Sequence, residues 1–228
     1  MTDYVLVHGA WGGAFTWAPV AAGLRAAGHR VLAPDLPGLG ERRGELHGGI
    51  TLSDHVADVE AKIATAGFDR FVLAGHSYGG VVITALATRL GARIDALAYC
   101  DAFLPGDGQA WWDIVGDWEH RTFMASQRFT PGLVAPIFDG LPAHWRHPLL
   151  TLTEAVRFTG EEAKVTRHAY LYATGWQPTP FARFADAVRA DPAWEYHEAP
   201  CGHDVMGEAT AQTLDLLLSL STSPASAA

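Results

Sequence analysis

Cysteine is scarce. The 228 residues hold two, Cys100 and Cys201, too few for a disulfide framework. Both read as small buried apolar residues, and a reducing cytoplasm is the expected compartment. Long apolar runs are also missing: no stretch approaches the roughly 20 residues of a membrane span. The first residues lack the charged start and long apolar run of a secretion signal, because Val5-Leu6-Val7 runs at once into His8-Gly9. Positive charge is thin. A net charge of −9 and a pI of about 5.6, with no basic cluster, argue against nucleic acid or a membrane surface as partner. No His-x-x-x-His or paired-cysteine spacing falls near the residues singled out below, so no metal is expected. The first apolar run is followed by His8-Gly9-Ala10-Trp11 instead of Gly-x-Gly-x-x-Gly, which disfavours a dinucleotide fold. No organic cofactor is expected either, and no internal repeat is present.

What is present centres on Gly75-His76-Ser77-Tyr78-Gly79. An apolar run at 71–74 precedes it and a helical pattern at 78–90 follows. Strand, sharp turn and helix make the setting of a nucleophile elbow. Glycines at 75 and 79 relieve the crowding of so tight a turn. The Ser77 hydroxyl is then pushed above the sheet edge, and the Tyr78 N–H stands at a helix N-terminus, where it can face a developing oxyanion.

The rest of the chain alternates around this point. Short apolar runs at 4–7, 30–33, 71–74, 94–99, 168–174 and 194–198 read as six strands. Helices are predicted at 17–27, from Thr51 or Ser53 to about 66, and at 78–90, 180–190 and 206–220. Such alternation predicts an α/β fold with a mostly parallel, doubly wound six-stranded sheet. The core is assigned to 1–104 and 166–221. Residues 105–165 interrupt the alternation after the fourth strand and carry four of the eight tryptophans. They are predicted to form a helical cap, and 222–228 a flexible tail.

In such sheets the active crevice lies at the C-terminal strand ends. Serine needs an adjacent base. His203, between the last strand and the last helix, follows the serine in the chain order expected of an elbow enzyme. His76 reads as structural. The loop at 175–180 contains no carboxylate, whereas Asp101 directly follows the fourth strand; Asp107 lies too far into the insertion and Asp204 is poorly placed beside His203. Asp101 is therefore the expected triad acid. The oxyanion donors are Tyr78 N–H and the N–H of Ala10 or Trp11. Trp11, Trp111, Trp112 and Trp176 are the expected substrate contacts, although the bland reading of the cap aromatics is simply its own core.

Taken in order, His8-Gly9-Ala10-Trp11, Asp35-Leu36-Pro37-Gly38-Leu39-Gly40, Gly75-His76-Ser77-Tyr78-Gly79-Gly80 and Gly202-His203-Asp204 resemble the α/β-hydrolase superfamily over nearly the whole chain. Within it, the chain is similar to the small branch of plant methyl esterases, hydroxynitrile lyases and their bacterial esterase-like relatives. Two departures stand out. Residues 204–220 hold no lysine of the kind that the lyases use after the histidine, and the acid is missing after the strand at 168–174. The resemblance implies hydrolysis and leaves the substrate open. With the residues above, the expectation is a serine hydrolase that cleaves a small, largely apolar ester or lactone through an acyl-enzyme; a monomer or homodimer is expected. The alternatives are carbon–carbon bond hydrolysis by the same residues, or a ligand-binding protein with little turnover.

Overall fold

The computed structural model describes residues 1–138 and 141–221; the predicted tail at 222–228 lies outside the described residues. In chain order the elements are β1 (Asp3–Val7), α1 (Ala18–Ala26), β2 (Arg30–Leu32), α2 (Leu52–Thr65), β3 (Phe71–Ser77), α3 (Gly79–Leu90), β4 (Ile94–Ala102), α4 (Asp117–Ser126), β5 (Leu133–Val134), β6 (His147–Pro148), α5 (Leu150–Thr153), β7 (His168–Ala173), α6 (Ala182–Arg189), β8 (Trp194–Ala199), α7 (Val205–Glu208) and α8 (Thr210–Ser219). Six strands form one sheet in the order β2-β1-β3-β4-β7-β8, with every pairing parallel.

Side-chain alternation divides the sheet into two unlike faces. Tyr4, Leu6, Val72, Ala74, Ala96, Ala98, Ala169 and Leu171 meet α1 and α8 in one core, where alanines let the helices approach closely. Val5, Val7, Phe71, Leu73, Leu97, Tyr99, Tyr170 and Tyr172 meet α2, α3 and α6 in the larger core. Both cysteines are free and buried, and burial pushes their thiols up, to about 12 for Cys100 and about 11 for Cys201.

Local chemistry sets the helix ends. Thr51 caps α2: its hydroxyl accepts the Asp54 N–H, while Asp54 accepts the Thr51 N–H at 2.9 Å. The single predicted helix at 206–220 is instead two, α7 and α8, interrupted at Ala209 with φ −129° and ψ 42°. Asp204 caps the first of them by accepting the Gly207 N–H at 3.1 Å.

The insertion is less helical than predicted. Beyond 3-10 turns at Trp111–Ile114 and Glu162–Lys164, its described residues hold one helix of ten residues, α4, the two-stranded antiparallel ribbon β5–β6 and the short α5. Pro131, Pro136, Pro142 and Pro148 supply no N–H and prevent a second long helix. Residues 154–165 return along the core instead of covering it. Glu154 accepts the Ser53 N–H at 2.8 Å, and the Thr159 hydroxyl donates to Thr88 O at 2.6 Å.

Candidate active site

The turn between β3 and α3 places Ser77 in the left-handed region, at φ 54°. Such a backbone costs a β-carbon residue on the order of 1–3 kcal/mol, so surrounding packing must hold it. It does so by close approach. A Cβ on Gly75 would lie 2.5 Å from Gly79 O, and one on Gly79 would lie 2.4 Å from Val7 O. With no side chain at either position, α3 starts directly against the ends of β1 and β3. The Tyr78 ring is buried, with its hydroxyl 3.0 Å from His55 Nδ1. His55 Nε2–H donates to Pro37 O at 3.1 Å, so Nδ1 is the acceptor and the tyrosine donates.

Asp101 reaches the site through a bulge. Along the β3–β4 ladder His76 pairs with Cys100, but Ser77 pairs with Ala102, leaving Asp101 unpaired at φ 42°. The extra residue re-aims its side chain. The Asp101 carboxylate lies 2.7 Å from His203 Nδ1 and also accepts from the Ala173 N–H at 3.2 Å and the Trp176 Nε1–H at 3.3 Å. Its side chain is fully buried, and burial pushes the carboxyl up to about 7, with the Ala173 and Trp176 donors working against the rise. Burial holds His203 down at about 4, opposed by the nearby charges of Asp204 and Glu208. With Nδ1–H donating to Asp101, Nε2 carries the lone pair, and it has no hydrogen-bond partner among the described residues. His76 packs against the His203 ring, with centroids 4.4 Å apart and the planes tilted by 39°, and donates from Nε2 to His203 O at 2.8 Å, which fixes that loop.

The loop after β1 is tied down from three sides. His8 Nε2 accepts the Leu36 N–H at 3.1 Å, Asp35 accepts the Ala14 N–H at 2.6 Å, and Arg43 Nη2 donates to Trp11 O at 3.1 Å. Burial keeps His8 neutral, at about 4. Trp11 stands at φ 58°. Among the described residues the non-glycine ones at positive φ are thus Trp11, in the loop after β1, and Ser77 and Asp101, at the C-terminal ends of β3 and β4.

Two chambers meet at Ser77. An inner one of about 400 Å³ is walled by Phe103, Trp111, Trp118, Phe123, Ile137 and Pro180. An outer one of about 470 Å³ is lined by Ala10, Phe15, Leu141, His203, Asp204 and Glu208. Phe138 and Trp176 border both. Of the expected substrate contacts, Trp111 and Trp176 lie at these walls. Trp11 and Trp112 do not. The Trp11 indole is buried, donating to Val134 O at 3.0 Å, and Trp112 stacks on His120 at 4.3 Å. Trp118 and Phe138 line the inner chamber instead, and nothing in the sequence separated them from the other cap aromatics. Among the described residues no group of three or more His, Cys, Asp or Glu side chains is arranged to hold a metal ion.

Residues 4–216 match the family described as alpha/beta hydrolase. The chain belongs to that family. Among its relatives, a carbendazim hydrolyzing esterase of Nocardioides sp. is 35% identical, over 90% of this chain and 94% of that protein. Methyl jasmonate esterase 1 of Vitis vinifera is 34% identical over 45% of this chain and 40% of its own. In three dimensions, a Paenibacillus extracellular alpha/beta-hydrolase, described as sharing homology with tobacco salicylic acid binding protein 2, superposes with a TM-score of 0.81. It is 22% identical, with 96% of this chain and 99% of that one covered. As an alpha/beta hydrolase whose relatives are named esterases and hydrolases, the chain is an enzyme of that fold. No helix among the described residues is long and apolar enough to cross a membrane.

Proposed function

We propose that this alpha/beta hydrolase is a serine esterase acting on small-molecule esters with an apolar, aromatic-sized acyl group. The observation that carries the reading is the arrangement around His203: Nδ1 is held by a buried carboxylate, Nε2 has no hydrogen-bond partner among the described residues, and the residue lines the same chamber as Ser77. A neutral imidazole in that tautomer is a base ready to take the Ser77 proton. Ser77 Oγ attacks the ester carbonyl as its proton passes to His203 Nε2. Asp101 stabilises the imidazolium and keeps the ring oriented. The N–H groups of Tyr78 and of Ala10 or Trp11 receive the oxyanion. His203 then protonates the leaving alkoxide, and water clears the acyl-enzyme by the same steps in reverse. The relatives' names, a carbendazim hydrolyzing esterase and a methyl jasmonate esterase, support esterase chemistry.

The test is Ser77→Ala against the wild type, with p-nitrophenyl esters as substrates and a fluorophosphonate as label. Loss of the nucleophile is expected to remove activity by about 10⁶-fold and to abolish labelling while the circular dichroism spectrum stays unchanged. Near-wild-type hydrolysis by the variant would sink the serine mechanism.

A further inference from the structure

The two chambers differ in one respect that bears on substrate choice. His203 borders the outer chamber and is not among the residues lining the inner one. In ester cleavage the leaving oxygen takes its proton from the histidine, so it must lie on the histidine's side of the tetrahedral carbon. The acyl group is thereby directed into the aromatic inner chamber and the leaving alcohol into the outer one, with Phe138 and Trp176 as the partition. The outer chamber, at about 470 Å³, far exceeds what a methyl leaving group fills, since even a water's share of liquid is about 30 Å³. Its apolar lining, Phe15, Leu141 and Met206, suits a carbon skeleton. Its charged lining has one sign. Asp204 and Glu208 are exposed on its rim, and no lysine or arginine is among the described residues that line it. Both carboxylates raise the proton affinity of His203, so their field reaches the reacting centre.

We propose that the outer chamber is a leaving-group site for bulky alcohols that are neutral or cationic, and that Asp204 and Glu208 select against anionic ones. This rests on the serine-esterase reading and adds to it the size and charge of the half of the substrate that departs. Because the carboxylates face solvent, their selectivity is graded and screened by salt.

The experiment uses one acyl group, phenylacetyl, esterified to methanol, to 3,3-dimethylbutanol, to its cationic isostere choline, and to 3-hydroxypropanesulfonate. Each kcat/KM is divided by that ester's hydroxide-catalysed rate, to remove intrinsic reactivity. The dimethylbutyl ester is expected to exceed the methyl ester by about tenfold. Choline is expected to exceed the sulfonate by at least about tenfold at low salt, shrinking to within a few-fold at 1 M, where the screening length is about 3 Å. Glu208→Gln keeps an acceptor for the Gly202 N–H, which the glutamate holds at 2.6 Å, and should compress the choline-to-sulfonate ratio. Equal rates for methyl and dimethylbutyl esters would reduce the outer chamber to an entrance and overturn the size assignment. A charge ratio near one, or one indifferent to salt and to Glu208→Gln, would overturn the charge assignment. Fluorophosphonate labelling of Ser77 separates the two levels. An enzyme that labels but shows no leaving-group preference refutes this inference alone, whereas one that does not label takes the esterase reading down with it.

Discussion

Asp101 is a carboxylate that burial disfavours, held in a backbone region that most side chains avoid. Both costs point to a role that repays them elsewhere. Asparagine tolerates the left-handed region better than most residues and keeps the carboxamide shape, so Asp101→Asn isolates the charge. On the triad reading its kcat falls by up to about 10⁴ while its thermal midpoint holds or rises, because a buried charge has been removed. Asp204→Asn and Asp186→Asn should cost far less. Retention of most activity by Asp101→Asn would refute the assignment. Trp176 was expected as a substrate contact, but its indole N–H also donates to Asp101 at 3.3 Å. That donor stabilises the ionised form, so Trp176→Phe, which keeps the ring, should let the carboxyl rise further. The acid limb of the kcat/KM profile then moves to higher pH, with a larger loss at pH 6 than at pH 8.5. Superimposable profiles would leave Trp176 as a wall and nothing more.

At the scale of elements, the sheet was readable because its strands are short buried runs ending in glycine or polar loops, and β1, β3 and β4 met that pattern. The elbow was readable because Gly75 answers to a local contact, the Gly79 carbonyl four residues on, whereas Gly79 answers to Val7 O on the neighbouring strand. The β4 bulge was not. Strand alternation reads 94–99 and stops, and nothing local says that residue 101 drops out of the β3 pairing while Ala102 rejoins it. That Asp101 would lie beside His203 was legible, and the device that aims it was not. Two of the tryptophans lie off the chamber walls for a related reason: Trp11 and Trp112 are occupied by Val134 and His120, partners that composition does not reveal. The cap's internal wall offers a check on its role. Trp118 is 53% exposed yet lines the inner chamber, so Trp118→Ala should cost little stability. The enlarged chamber should raise the kcat/KM ratio of long-chain to short-chain acyl esters several-fold. An unchanged ratio across an ester series would argue that this part of the cap does not contact the acyl group.

For the molecule as a whole, the site machinery sets a limit on acid tolerance. His8, His55, His76, His147 and His203 are all held neutral by burial, at about 4, about 4, about 3, well below the ordinary value, and about 4 respectively. Two of them, His55 on α2 and His147 on β6, meet edge to face with ring centroids 6.1 Å apart. His147 Nδ1 is buried with no hydrogen-bond partner among the described residues. In the unfolded chain each imidazole titrates near 6.5. Between about pH 6.5 and 4 the unfolded state therefore binds more protons than the folded one, and stability falls as pH falls. Asp101 works in the opposite direction. Held at about 7 in the fold against about 3.9 unfolded, it binds its proton more readily in the folded state across the same window and offsets one of these five histidines; half-buried His168, also held below the ordinary value by burial, adds to the remaining four. Each uncompensated group contributes a slope of up to about 1.4 kcal/mol per pH unit, and the whole domain has only about 5–15 kcal/mol to lose. The urea midpoint should therefore be level from pH 8 to 7 and drop steeply below 6, with unfolding in native buffer near pH 5. Calorimetry at pH 5.5 in buffers of different ionisation enthalpy should register several protons taken up on unfolding. A urea midpoint that stays level from pH 7.5 to 5 would mean that these imidazoles reach water or an anionic partner in the native state, and the neutral-base account of His203 would lose its electrostatic support.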